Sequence, residues 1–337
     1  MKQKKKQIAK EKKLFSNKKL AIILVVLLAI IILGFLFVQI FLQAPEVKFS
    51  FNAAIVDQLG EEFPNPYFNE TGVVSNILKG AGFNVSYHEG NTIDVAFYKG
   101  LARYNYGIII LRAHFATREG ETIVDLFSSE EFSMYRYVSE RENGLLTEGY
   151  YSWKPGKSYF AITPKFIENL EGGFPKSIVI AMGCNSLNET CKEMAEAFIK
   201  KGAKAYIGWT GSVDPSHTDN ETAKLLGKFL AENKTISEAV DAVKPDPFYG
   251  SRMEYYPPAA CNLTISDLIT EAKASVTSQI TLNHFEKGFP LIYVINRLCS
   301  RFKKGFRFDF SLNGLPNFYN VLKPLTKVDY GAHRQLG

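Results

Sequence analysis

Four cysteines in 337 residues are too few for a disulfide scaffold, and outside the N-terminal tail there is no low-complexity tract and no internal repeat. Fourteen prolines and 25 glycines without a fixed period exclude a collagenous chain, and 46% hydrophobic residues exclude a disordered one. No Walker A sequence, HExxH motif or nucleic-acid signature is present. Gly80 and Gly82 follow a helical stretch and lack the third glycine of a dinucleotide fingerprint, so they read as helix-ending glycines. His114, Cys184, Cys191 and His217 have no standard zinc-ligand spacing, and no metal or cofactor is expected.

What the sequence does have is charge at one end. Nine lysines and one acid in the first 19 residues give that segment +8, so the rest of the chain carries −2 of the net +6. Leu20 to Leu42 follows, with Gln39 as its only polar side chain. About 20 apolar residues span the ~30 Å hydrocarbon core as a helix. A cleaved signal peptide has a shorter apolar core, of about 7–15 residues, and FVQIFLQAPE offers no A-x-A site. An uncleaved anchor with a cytoplasmic N-terminus is therefore expected, because flanking lysines stay inside. Everything from about Ala44 onward then faces the outside or a lumen. The sequons at Asn69, Asn84, Asn188, Asn220, Asn233 and Asn262 all lie beyond the span. The lysine run is a topology signal, and nucleic acid is not an expected partner.

Beyond Lys48, short β-branched runs alternate with helical stretches, the pattern of an α/β fold with a mainly parallel sheet flanked by helices. Strands are expected at Phe51 to Leu59, Asn84 to His88, Tyr106 to His114, Lys176 to Cys184 and Ala203 to Trp209. The aliphatic run Ile108 to Leu111 suggests a strand buried on both faces. An insertion from Phe115 to Lys176 contains a hairpin, GYYSWKPGKSYFAIT, turning at Pro155-Gly156. TGSVDPSHTDN is expected to be a loop before a helix starting at Glu221. After Lys244 the chain becomes rich in Pro, Tyr and Asn, then helical from Ile265 to Asn283. The basic amphipathic stretch FPLIYVINRLCSRFKK is too short to span a bilayer, and packing onto the domain is the favoured reading over a membrane surface.

His114 ends one apolar strand and Cys184 another. In an open α/β sheet, the C-terminal ends of parallel strands converge on one edge, where a thiol and an imidazole can form a nucleophile with a general acid–base partner. Each alone is more often a buried thiol or a histidine satisfying a carbonyl. IIILRAHFA and IVIAMGCNS, in that order, resemble the strand-then-His and strand-then-Cys blocks of the clan CD cysteine peptidases, the caspase-like superfamily that includes gingipain, clostripain, legumain, separase and the CHAT domains. KKGAKAYIGWTGSVDPSHTDNETAKLLGKFLAENKTISEAVDAV is similar to the stretch after the nucleophile in the gingipain and CHAT branch. Family members usually carry Gly directly after the histidine; here Phe115 and Ala116 follow, and 70 residues separate His114 from Cys184.

The resemblance, which covers roughly Lys48 to Lys244, implies a caspase-like peptidase domain over 45–245; the charge and hydropathy reading puts a cytoplasmic tail (1–19) and a transmembrane signal anchor (20–42) before it, and a helical and irregular extension (246–337) follows. It implies Cys184 as nucleophile and His114 as proton carrier, with backbone N–H groups of Cys184 and of Phe115 or Ala116 holding the oxyanion, and a polypeptide as substrate. Asn185, Ser186, Trp209, Gly211, Ser212 and Asp214 come into consideration for the substrate pocket. An acid at Asp214 would favour Arg or Lys, although Asp-Pro also opens turns. Asp57 is a candidate to orient His114. The alternative function is an inactive caspase-like surface domain used in recognition. Cys191, Cys261 and Cys299 leave disulfides open, including a silencing Cys184–Cys191 bridge.

Overall fold

The computed structural model describes residues 25–35, 49–118, 120–151 and 154–273. Of the expected span Leu20 to Leu42, residues 25–35 are described; they are helical (α1) and exposed throughout. Among the described residues no helix is long and apolar enough to cross a membrane. The basic tail, the rest of the span, Cys299 and FPLIYVINRLCSRFKK lie outside the described residues.

The strands in chain order are β1 (Asn52–Asp57), β2 (Asn84–Glu89), β3 (Ile108–Arg112), β4 (Phe115–Thr117) and β5 (Val124–Glu131). They continue with β6 (Leu146–Tyr150), β7 (Ser158–Ile162), β8 (Ile178–Ala181), β9 (Ala205–Trp209) and β10 (Met253–Tyr256). The helices after α1 are α2 (Val73–Gly80), α3 (Val95–Gly100), α4 (Val138–Glu142) and α5 (Pro164–Glu168). Then come α6 (Glu193–Lys200), α7 (Pro215–Leu226), α8 (Ile236–Asp241) and α9 (residues 265–273).

Sheet order is β10-β9-β8-β3-β1-β2, parallel throughout except for β10, which runs antiparallel to β9. Alternation splits the central strands between two cores. Ala53, Ile55, Ile108, Ile110, Ile178 and Ile180 pack against α2, α7, α8 and α9, while Ala54, Val56, Ile109, Leu111 and Val179 pack against α3, α5 and α6. Both faces are covered, which is why β3 and β8 are apolar at nearly every position. Each fully buried aliphatic such as Leu78 contributes roughly 1.5–3 kcal/mol through its removal from water.

The chain passes from β1 outward to β2 and then to β3 on the other side of β1, so strand order reverses between β1 and β3. A crevice opens at such a reversal, outside the carboxyl ends of the strands. The insertion after β3 forms a second, antiparallel sheet of order β4-β5-β7-β6. Its expected hairpin is present: Leu146 pairs with Ile162 and Tyr150 with Ser158, and Gly156 has the positive φ its turn requires.

Two boundaries differ from the sequence reading. α7 starts at Pro215, not Glu221, because Asp214 accepts from the N–H groups of Ser216 and His217 and Pro215 opens the first turn. The body also continues past residue 245: β10 completes the sheet, and Ile265 and Leu268 of α9 join its core. The expected irregular extension therefore begins with an edge strand whose tyrosines mask the pattern.

Candidate functional site

The carboxyl edge of the sheet is built on a buried cation. Arg112 ends β3 with its side chain fully buried. Its Nε and Nη2 donate to the two oxygens of Asp219 at 2.7 and 2.8 Å, Nη1 donates to Asp57 Oδ1 at 2.6 Å, and Nη2 donates to the Phe63 carbonyl at 2.7 Å. Tyr87 donates to Asp57 Oδ2 and Asn65 to Asp219 Oδ2. One guanidinium thus joins the end of β1, the loop after it, β3 and α7. Burial pushes the Asp57 carboxyl up, opposed by Arg112; burial would also lower the Arg112 pKa, but Asp219 and Asp57 hold the guanidinium charged. Asp57 is therefore committed to Arg112 and Tyr87, and the acid beside His114 is Glu62.

Two residues further on, His114 leaves the sheet. Its backbone N–H donates to Gln58 Oε1 at 2.9 Å, and its Nε2 lies 3.4 Å from Glu62 Oε2. Lys154 Nζ is 2.7 Å from the same Glu62 oxygen. The Tyr151 ring packs on the imidazole at 4.5 Å between centroids, and Tyr151 OH accepts from Gln58 Nε2. The insertion thus walls the histidine. Burial lowers the His114 pKa below the usual histidine value, partly offset by Glu62, with Lys154 lowering it further.

Cys184 follows β8, the neighbour of β3. The approach of the two chain segments depends on Gly183: a Cβ there would lie 2.3 Å from the Ala113 carbonyl oxygen and 3.0 Å from the Phe115 nitrogen. After the thiol, Asn185 turns the chain with φ +57°, a left-handed conformation that Asn tolerates. Its N–H donates to the Gly211 carbonyl, which ties this turn to the loop after β9. Cys184 Sγ accepts from Val213 N–H at 3.4 Å and lies 3.7 Å from the Val213 carbonyl.

His114 and Cys184 line one cleft of about 510 Å³. Of the expected oxyanion donors, Phe115 fits better than Ala116. Phe127 N–H donates to His114 O and Arg118 N–H to Ile123 O, so alternation puts Ala116 in a hydrogen-bonded pair with Asp125 and leaves the Phe115 amide outside the β4–β5 ladder.

None of the six residues considered for the substrate pocket is among those lining this cleft. Trp209 is fully buried and donates to Thr218 Oγ1. Ser186 is buried as a clamp, accepting from Trp209 N–H and donating to the Ala181 carbonyl. Asn185 and Gly211 bond to each other through the backbone, Ser212 accepts from Ser251 Oγ, and Asp214 caps α7. Val213, between two of the expected residues, lines the cleft instead, together with Pro215 and Thr218.

Cys184, Cys191 and Cys261 are free thiols. Cys191 is buried in the core on the opposite sheet face from the one Cys184 packs against, and the Cys184–Cys191 bridge that the sequence left open is not formed. Among the described residues no group of His, Cys, Asp and Glu could hold a metal ion. No known family model matches the chain, and no curated protein matches it in sequence.

Glu62, Gln58, Arg112 and Tyr249 escaped the sequence reading. Arg112 carried a signal: a single cation inside a strand expected to be buried on both faces must have a buried partner. Glu62 carried none, because the loop between β1 and α2 has no periodicity.

Proposed function

We propose that the protein is a membrane-anchored cysteine endopeptidase with a caspase-like fold. The observation that carries this reading is the pair itself: a thiol and an imidazole, delivered by adjacent parallel strands, line one cleft at the carboxyl edge of the sheet. Strand order and the reversal between β1 and β3 are consistent with that superfamily.

In the mechanism, His114 accepts the thiol proton and the Cys184 sulfur forms a bond to the peptide carbonyl carbon, the π pair moving to oxygen. The N–H groups of Cys184 and Phe115 hold that oxyanion. As the C–N bond breaks, imidazolium returns its proton to the leaving amine. Water, deprotonated by His114, then cleaves the thioester to acid and free thiol. A Glu62 carboxylate accepts from Nε2–H, which fixes the tautomer and makes Nδ1 the basic nitrogen. For attack, Sγ must turn away from Val213. That contact is the observation favouring the second reading, an inactive recognition domain.

The membrane placement rests on the lysine-rich tail, the apolar run from Leu20 to Leu42 and the exposed sequon residues Asn84, Asn220, Asn233 and Asn262. It puts the cleft outside the cell or in a lumen, with a polypeptide as substrate.

Incubating the detergent-solubilised full chain with a mixed peptide library and sequencing the products tests the proposal. Defined internal cleavages support it; an intact library with folded protein supports the recognition domain. The pH profile follows from the burial of His114. Its neutral form persists below the ordinary value of about 6.5, so the acid limb of the hydrolysis rate is expected below that pH. Glu62→Gln removes the influence that raises the pKa and shifts the limb further down. The linkage to stability has the same cause. Below about pH 6.5 the unfolded histidine gains a proton that the folded one resists, so acid destabilises the fold down to the folded pKa.

A further inference from the structure

We infer that the cleft selects a large apolar side chain, aromatic or branched aliphatic, at the residue before the scissile bond; this rests on the peptidase reading above. Most of the lining is apolar: Leu59, Phe63, Met182, Val213, Pro215 and Tyr249 surround the thiol and the imidazole, with Glu62 the one carboxylate among the lining residues. The Thr218 hydroxyl in the lining is already engaged: it donates to the Met182 carbonyl and accepts from Trp209 Nε1–H.

The charges around the cleft are already committed. Asp57 and Asp219 face Arg112, and Glu62 is shared between Lys154 and His114. Asp214 Oδ1 accepts from two backbone N–H groups and the Ser216 hydroxyl. Asp246 Oδ1 accepts from Phe248 and Tyr249 N–H, and its Oδ2 accepts from Asp214 N–H. A guanidinium or ammonium entering this space would find Glu62 already held by Lys154, and Asp57 and Asp219 already held by Arg112, while Asp214 and Asp246 are not among the residues lining the cleft. A substrate carboxylate would meet Glu62 and would have to take Lys154 away from it. Desolvating an unpaired charge costs far more than an apolar contact gains.

The rim points the same way. Asp246, 2% exposed, pins the turn that presents Phe248 and Tyr249 to solvent at 80% and 62% exposure. The Gly250 N–H to Asp246 carbonyl bond closes that turn, and Asp214 N–H ties it to the start of α7. The Tyr249 ring, held by this turn and lining the apolar cleft, suits a hydrophobic side chain entering from solvent.

The test uses the full chain in detergent with four peptidyl acyloxymethyl ketones that differ only in the last residue, Phe, Leu, Arg or Asp. Labelling rates at Cys184 are read by mass spectrometry. The Phe and Leu probes are expected to react at least about 10-fold faster than Arg and Asp, the scale of discrimination by a hydrophobic pocket. Val213→Asp should invert the order of Phe and Arg. Should that variant not fold, Tyr249→Ala, on the exposed rim, should slow the Phe probe several-fold more than the Arg probe. An Arg or Asp probe that matches or beats Phe overturns the inference and leaves the peptidase reading standing. No labelling by any probe, while iodoacetamide still modifies Cys184, overturns both.

Discussion

Cys184→Ala is expected to abolish peptide hydrolysis, by a factor on the order of 10⁴ or more, since removing a covalent nucleophile costs most of what the catalytic group as a whole provides. The fold should survive. Cys184 is half-buried at the edge of its core, and its sulfur makes two long polar contacts, both with Val213. Unfolding free energy should stay within about 1 kcal/mol of wild type, the range for a small side chain that leaves no buried charge unpaired. His114→Ala should fall short of this, losing about 10²–10⁴ of rate, because a general acid–base is replaceable in part by water. Residual cleavage at wild-type rate in the cysteine variant would remove Cys184 from the mechanism.

The largest stability effect is expected at Arg112. Its guanidinium has two carboxylates, a carbonyl and a ring as neighbours, Phe68 packing 5.2 Å from its carbon. Arg112→Ala leaves Asp57 and Asp219 facing each other in a buried site and should cost about 3–5 kcal/mol. Against a typical total of roughly 5–15 kcal/mol, that is enough to populate unfolded protein at ambient temperature. Arg112→Lys keeps the charge but not the fork that grips both oxygens of Asp219, so it should fall between wild type and alanine. Denaturant unfolding of the solubilised chain reads both. A variant as stable as wild type would mean that the cluster offsets its own desolvation and contributes nothing net.

The two chemical groups were legible because strand ends are. A run of buried aliphatics ending in His114 or Cys184 says which edge the side chain reaches, and parallel order says that the edges coincide. The hairpin was legible for the same local reason, Pro155-Gly156 between alternating residues. The cleft wall was not. Val213 and Tyr249 reach it from two loops joined by Asp246, a contact between residues 32 apart in sequence that no local pattern announces. Asp214 was left open for a physical reason: a carboxylate before Pro is equally a substrate ligand or a helix cap, and only the positions of the Ser216 and His217 amides show the cap. β10 was missed because an edge strand of four residues, MEYY, carries too little alternation to stand out from its Pro-rich surroundings.

The central claim is that Cys184 and His114 act as a chemical pair. The rate of Cys184 alkylation by iodoacetamide at pH 7, located by mass spectrometry in wild type and in His114→Ala, tests it without any assumption about substrate. Cys261, a second half-buried thiol, serves as the reference in the same sample. The pair predicts at least a ~10-fold slower reaction at Cys184 in the variant with Cys261 unchanged, because the thiolate is the nucleophile and the imidazole takes its proton. Equal rates at Cys184 in the two proteins would contradict it.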